Sequence, residues 1–495
     1  MKTRCLAIGL LLVSAAVGVI ADDASDRDNN LPQSVPPGKA GPDGAKKTRR
    51  DGDSTREVPH KLPPEIRAFA AAKERQAKAL AKKLGYELSP DVWSFFDAAK
   101  QGDWDQARSL WDDLRMRAGQ YDGSSSDPAV ATPLWSTVLE TDVAAEQFAL
   151  GEPKYAFAFG RDIIKSIPAG SIYFGGTDPG RGLVTALCAS HEKGDPFFTL
   201  TQNALADNNY LAYLREMYGA RIHLPAAKDS QKAFENYIAD AQKRLQADQL
   251  KPGEEVRMED GRILVSGQVA VMAINALIAK TIFDQNPNRE FYVEESFALD
   301  WMYPHLAPNG LILKIHRRSL NTIVAAAITT DQKYWNERLK VMVGDWLKLE
   351  TPVKTVCEFS DKVFWDKDLS GFKGDPSFVQ NDYACRTFSK LRGAIAGVYA
   401  WRATQAKQPD EAKRMRQAAD FAFRQAFALC PYNPETVFRY VNLLLQDAKP
   451  EDAMLIAQTA LKLQPRNSGL RDITKQLRSA AKGAPAQADE EEKEP

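Results

Sequence analysis

Apolar positions along this chain follow two textures. Between residues 161 and 320, short apolar runs alternate with helix-spaced ones: Ser171–Phe174 (SIYF), the run DPFFTLTQ, Glu290–Ser296 (EFYVEES) and Leu311–His316 (LILKIH) read as core strands. The intervening segments Leu183–Ser190, Ala204–Gly219 and Gly267–Phe283 read as helices, the second with Leu205, Tyr210, Leu211, Leu214 and Met217 at helical spacing. Strand, helix, strand, helix predicts an α/β central domain with a mainly parallel sheet and crossover helices. One hairpin is added by EEVRMEDGRILVSG, turning at Asp260 and Gly261.

On either side the spacing is helical. Ala426–Asn433 (AFALCPYN) returns as Ala460–Asn467 (ALKLQPRN), 34 residues later, which is the tetratricopeptide period. Ala419, Phe423, Ala426 and Pro431 in one unit, and Ala453, Ala457, Ala460 and Pro465 in the next, match the small inner positions and terminating proline of such a repeat. A single helical hairpin cannot bury its own apolar face, so the units must stack on neighbours, including a helix at Thr387–Ala406 with Leu391, Ile395, Tyr399 and Trp401. A weaker version of the hairpin is predicted at Asp91–Leu114, turning at Gly102 and Asp103, with Ala107 and Trp111 on the inner face. Helical spacing assigns its aromatics Trp93, Phe95, Phe96, Trp104 and Trp111 to packing before ligand stacking.

The ends differ from both textures. Lys2 and Arg4 precede an apolar run from Leu6 to Ile20, with small residues Val19 and Ala21 before Asp22. This pattern predicts a cleaved signal peptide over 1–21 and an exported chain, periplasmic or secreted. A polar leader over 22–60 and an acidic tail over 482–495 lack the apolar side chains to fold alone. No transmembrane segment is expected in the mature chain. Lys plus Arg and Asp plus Glu both number 65, so no global field favours nucleic acid.

Candidate chemistry is sparse. The five histidines, His60, His191, His223, His305 and His316, have no metal-ligand spacing, and there is no GxSxG, P-loop or GxGxxG motif. No cofactor and no metal are expected. Asp366, Lys367 and Asp368 spell a DxD triplet, common by chance in charged loops. With Cys5 in the predicted signal, Cys188, Cys357, Cys385 and Cys430 remain; Cys357 with Cys385 is the first candidate disulfide, and buried free thiols are the alternative.

The ligand candidate is the strand-to-helix loop GGTDPGR. Gly175 and Gly176 would let a ligand approach the backbone, Asp178 and Arg181 are the loop's charges, and Glu294 and Glu295 end a core strand at the edge where α/β sites gather. These residues could bind a glycan or small polar molecule, with Trp301, Tyr303 and His305 adding aromatic surface. The structural alternative has Asp178 capping the helix and Arg181 pairing with Glu294 or Glu295.

GSIYFGGTDPGR, FFTLTQNALADNNYLAYLREMYG and NREFYVEESFALDWMYPHLAPNGLILKIHRR together resemble the soluble C-terminal part of bacterial protein O-mannosyltransferase-like membrane proteins. The resemblance covers roughly 162–318 and implies an α/β domain followed by tetratricopeptide repeats. In that class catalysis belongs to the membrane-embedded part, which has no counterpart here. It therefore implies an accessory or recognition domain, and no transfer activity is carried over.

The expected organisation is a helical region with a tetratricopeptide-like hairpin over 61–160, the α/β domain over 161–320, a helical or irregular connector over 321–385, and tetratricopeptide-like repeats over 386–481. The expected function is non-catalytic scaffolding in the cell envelope, with a protein or peptide bound by the helical repeats; the alternative is the glycan or small-ligand site at the loop.

Overall fold

The structure, a computed structural model, describes residues 61–119, 126–259 and 262–483. The expected signal, the leader, the chain from 484 onward and the hairpin turn at Asp260 and Gly261 lie outside those residues. The described residues are mostly helical with one mixed five-stranded sheet, and they divide between Asn321 and Thr322 into two compact units.

The first unit opens with α1 (Pro64–Leu84), α2 (Pro90–Gln101) and α3 (Trp104–Arg117). Helix α1 starts on a proline, whose missing N–H is no loss at a helix start, and stops at Gly85, which takes φ 74°. Gly102 (φ 82°) and the Asp103 cap, whose side chain accepts from the Gln106 N–H, make the turn between α2 and α3. Phe95, Phe96, Ala107 and Trp111 are buried in one core, and Trp111 stacks on Trp135 with centroids 5.1 Å apart. These aromatics are packing, not a ligand surface, Trp93 being partly buried against the same core.

Helices α4 (Trp135–Ala149) and α5 (Pro153–Ser166) lead into β1 (Ile172–Gly175), α6 (Asp178–Leu187), β2 (Phe198–Thr201) and α7 (Asn208–Tyr218). Next come α8 (Ala227–Gln246), the hairpin β3 (Glu255–Glu259) and β4 (Arg262–Ser266), α9 (Gly267–Gln285), and the strands β5 (Phe291–Glu294), β6 (Leu306–Asn309) and β7 (Ile312–Ile315). The sheet order is β2-β1-β5-β7-β6. Strand β1 pairs in parallel with β2 and β5, whereas β5–β7 and β6–β7 are antiparallel. The sheet is therefore mixed, not mainly parallel. The reason is local: only Gly310 (φ 65°) and Leu311 separate β6 from β7, and a connection that short can join only antiparallel strands. Strand β6 has no counterpart among the predicted strands; its Pro308 is tolerated because β6 is an edge.

The β3–β4 hairpin forms its own two-stranded sheet, with Val256 opposite Val265 packing on Tyr237, Ala241 and Ala270 from α8 and α9. Among the described residues, α9 is the one helix long and apolar enough to cross a membrane, with mean hydropathy 1.2; 39% of that stretch is buried. It turns Ala270, Ile278, Ala279, Ile282 and Phe283 into the protein interior.

The second unit contains α10 (Ala325–Met342), α11 (Val353–Ser360), the short α12 (Pro376–Val379) and the helices α13 (Asp382–Gln405), α14 (Pro409–Leu429), α15 (Pro434–Gln446), α16 (Pro450–Leu463) and α17 (Ser468–Gly483). Small buried residues let the successive helices approach: Ala419, Ala422 and Ala426 on α14, and Ala453, Ala457 and Ala460 on α16, are fully buried. Pro431 and Pro465 follow the ends of α14 and α16, and Asn467 accepts from the Leu470 N–H at 2.9 Å to start α17.

Cys188, Cys357, Cys385 and Cys430 are all free thiols, so Cys357 and Cys385 are not bonded. Cys385 Sγ instead donates to the Phe378 carbonyl, 3.1 Å away, and Cys357 lies beside Thr459. Burial pushes the thiols of Cys188, Cys357 and Cys430 up to about 12. Since the thiolate is the reactive form, these three should react with a disulfide reagent at pH 8 at least about a hundredfold more slowly in the native chain than in urea. Comparable rates in both would show that burial does not hold these thiols protonated.

Candidate functional site

Strand β1 is the switch point of the sheet. The chain leaves it toward β2 on one side and returns through β5 on the other, so the loops after β1 and β5 flank the crevice where ligands of open α/β sheets bind. In register, Gly175 stands opposite both Thr201 and Glu294. All six candidate residues, Gly175, Gly176, Asp178, Arg181, Glu294 and Glu295, gather at this edge.

The crevice is occupied by the chain's own carboxylates. Glu294 Oε2 accepts from the Gly176 N–H at 3.3 Å and the Thr177 N–H at 3.1 Å, while the Thr177 hydroxyl donates to Oε1 at 2.6 Å. These are the amides a bound anion would use at a helix start. Glu295 Oε1 accepts from the Ser296 N–H at 2.7 Å and Oε2 from the Gln202 amide at 3.3 Å, while Asn203 donates to the Gly176 carbonyl at 3.0 Å. Both carboxylates are buried, at 1% and 9% exposure.

The glycines are explained by the same packing. A Cβ on Gly176 would lie 1.9 Å from Glu295 Oε2, and one on Gly180 only 1.6 Å from Glu294 Oε2. A Cβ on Gly175 would sit 2.9 Å from the Arg181 Cα. The loop needs close approach, as expected, but what approaches is protein.

One expected contact is corrected. Helix α6 begins at Asp178, several residues before the expected start at Leu183, because Thr177 caps it: its hydroxyl accepts from the Gly180 N–H at 3.2 Å. Asp178 is thus inside the first turn and pairs with Arg181, one turn on. Trp301 and His305 pack on Phe283, with centroids 5.1 and 5.6 Å away, and His305 Nδ1 lies 2.7 Å from the His316 carbonyl. The DxD carboxylate of Asp368 accepts from the Ser370 N–H at 2.8 Å. Among the described residues no group of three His, Cys, Asp or Glu side chains could hold a metal ion.

A second polar cluster, absent from the sequence candidates, lies nearby. Lys73 on α1 is fully buried, and its ammonium donates to Glu140 on α4, to the Tyr213 hydroxyl at 2.6 Å and to Gln76 at 3.2 Å. All three of its protons therefore have acceptors. Tyr213 also lies 2.8 Å from Glu140 Oε2. Burial pushes the Lys73 ammonium below its usual range against the opposing pull of Glu140, and pushes the Tyr213 phenol well above its own. The signal in the sequence is Lys73 itself, which falls on the stripe Ile66, Phe69, Ala70, Ala77, Ala81 that α1 buries.

Glu140 also lines a cavity of about 20 Å³ with Ser136, Arg181, Thr201 and Tyr210. That holds about one water and no substrate. His191 stands at the cluster's rim, its Nε2 4.0 Å from Glu140 and its ring 5.2 Å from Phe69. Desolvation, then the Lys73 ammonium, hold its imidazole well below the usual range. The unfolded chain therefore binds a proton near pH 6.5 that the folded chain refuses, so stability is present above that pH and lost below it. Between pH 7.5 and 5.5 this group should remove about 1.4 kcal/mol of unfolding free energy. His191→Gln should lack that component in urea titrations at the two pH values; an unchanged slope would show that His191 protonates while folded.

The chain matches no family model, no curated protein and no solved structure.

Proposed function

We propose that this is an exported, non-catalytic interaction protein whose C-terminal helices are tetratricopeptide-like repeats binding an acidic peptide or protein segment. The observation that carries the reading is a groove of about 400 Å³ on the last helices, lined by Leu461 from α16 and by Arg471, Thr474, Lys475, Arg478 and Ser479 from α17. The three cations recur at i, i+4 and i+7, which places them on one helix face. They are exposed, and among the described residues no carboxylate pairs with them. Leu461 gives the groove an apolar floor for a partner's side chain. The loop crevice, by contrast, already has carboxylates on its amides.

Fluorescence anisotropy with a labelled Asp/Glu-rich octapeptide tests this. The full chain should bind it at least about tenfold more tightly than a Ser/Gln-rich octapeptide. Replacing Arg471, Lys475 and Arg478 with glutamine should remove that preference, and raising salt should weaken it, since exposed charge pairs are screened. Equal binding of the two peptides would reject the reading.

A further inference from the structure

The sequence carries one segment of matching chemistry. Asp489, Glu490, Glu491, Glu492 and Glu494 place five carboxylates, against the single cation Lys493, beyond the end of α17. We propose that this segment docks in the groove lined by Arg471, Lys475 and Arg478 and competes there with acidic segments from outside. The proposal rests on the reading of the groove as an acidic-segment site.

Reach permits it. Helix α17 ends at Gly483, followed by Ala484 and Pro485, a sequence that stops a helix and lets the chain reverse. From Gly483 back to Arg478 the helix axis runs roughly 8 Å, and back to Arg471 roughly 18 Å. Residues 484–488 extended span roughly 17 Å. Asp489 can therefore meet Arg478, with the following glutamates running antiparallel to α17 past Lys475 to Arg471. A register in which every second side chain faces the helix offers the three cations three carboxylates when Glu490, Glu492 and Glu494 face it, and two when Asp489 and Glu491 do. The groove's floor is apolar only at Leu461, so charge and not hydrophobic fit selects the occupant.

Tethering decides the competition. A segment joined by so short a linker meets its site at an effective concentration in the millimolar range, so even a weak ionic contact is populated. An outside partner must then displace the tail, which makes the groove selective for segments with more charge or an added apolar anchor.

The test compares three forms of the complete chain against the labelled acidic octapeptide: the natural sequence, one ending after Pro485, and one in which Asp489 becomes Asn and the four glutamates become Gln. The natural chain should bind the peptide about tenfold more weakly than the other two, and the gap should close at high salt. Carbodiimide, which joins a carboxylate to an amine in contact, should link Lys475 to residues 489–492 within one chain, and Lys475→Gln should remove that link. Equal affinities in all three forms would overturn the docking while leaving the groove reading intact. Tighter binding after truncation but not after neutralisation would overturn it too, because it would show obstruction without charge recognition. Failure of the peptide to bind any form would reject the groove reading itself, and the docking with it.

Discussion

Replacing Asp331 with alanine is expected to lower the unfolding free energy of the 322–483 unit by about 3–5 kcal/mol, the usual loss when one partner of a buried ion pair is removed. Asp331 on α10 and Arg392 on α13 have side chains 1% and 0% exposed. Arg392 Nη1 donates to both carboxylate oxygens, at 3.0 and 2.8 Å, and its Nε donates to Gln425 at 2.8 Å. The Tyr399 hydroxyl adds a donor at 3.0 Å to Asp331 Oδ2. Truncation would leave a guanidinium with no counter-charge in a core formed by Trp335 and the helices around it. Asp331→Leu combined with Arg392→Met should recover most of the loss, since an apolar pair of similar volume needs no desolvation of charge. Urea unfolding followed by far-UV circular dichroism checks both. A loss under about 1 kcal/mol for the single variant would mean that the pair is hydrated.

Gly180→Ala should destabilise the first unit by about 2–4 kcal/mol, because the new methyl would occupy the place of Glu294 Oε2. Glu294 can swing away only by abandoning the Gly176 and Thr177 amides and the Thr177 hydroxyl. Glu294→Ala leaves the same amides without their acceptor and should cost about 1–3 kcal/mol. The double variant should therefore be much less damaged than the sum of the two, with a coupling of about 1–3 kcal/mol. Additive losses in thermal or urea unfolding would show that the carboxylate does not hold the loop.

Much of this arrangement is legible in the residues, and the failures share a cause. Buried apolar runs mark β1, β2 and β5 because both faces of those strands are covered, as the burial of every residue in them records. The 34-residue recurrence of Ala426 and Pro431 at Ala460 and Pro465 marks two helix ends, since small residues and a terminating proline are local requirements. Strand β6 is hidden because LAPN carries no alternation and contains Pro308, a residue that tolerates only an edge.

The glycine loop shows the limit most clearly. Gly176 and Gly180 announce that something comes close to the backbone, but a pair of amides accepts a ligand's anion and a glutamate alike. Which one is present depends on the register that sets Gly175 beside Glu294, and that is a tertiary fact. Lys73, Glu140 and Tyr213 are separated in the chain and converge only when α1, α4 and α7 pack. A lysine inside an apolar stripe is the trace they leave in the sequence, and it identifies neither partner.

The division between a closed crevice and an open groove is tested most directly by deuterium exchange on the full chain with its acidic tail neutralised, with and without a saturating Asp/Glu-rich peptide. Exchange should slow in residues 450–463 and 468–480 and stay unchanged at 175–181 and 294–296. Slowing at the loop with none in the terminal helices would contradict the assignment, as would a peptide that binds without slowing exchange in either place.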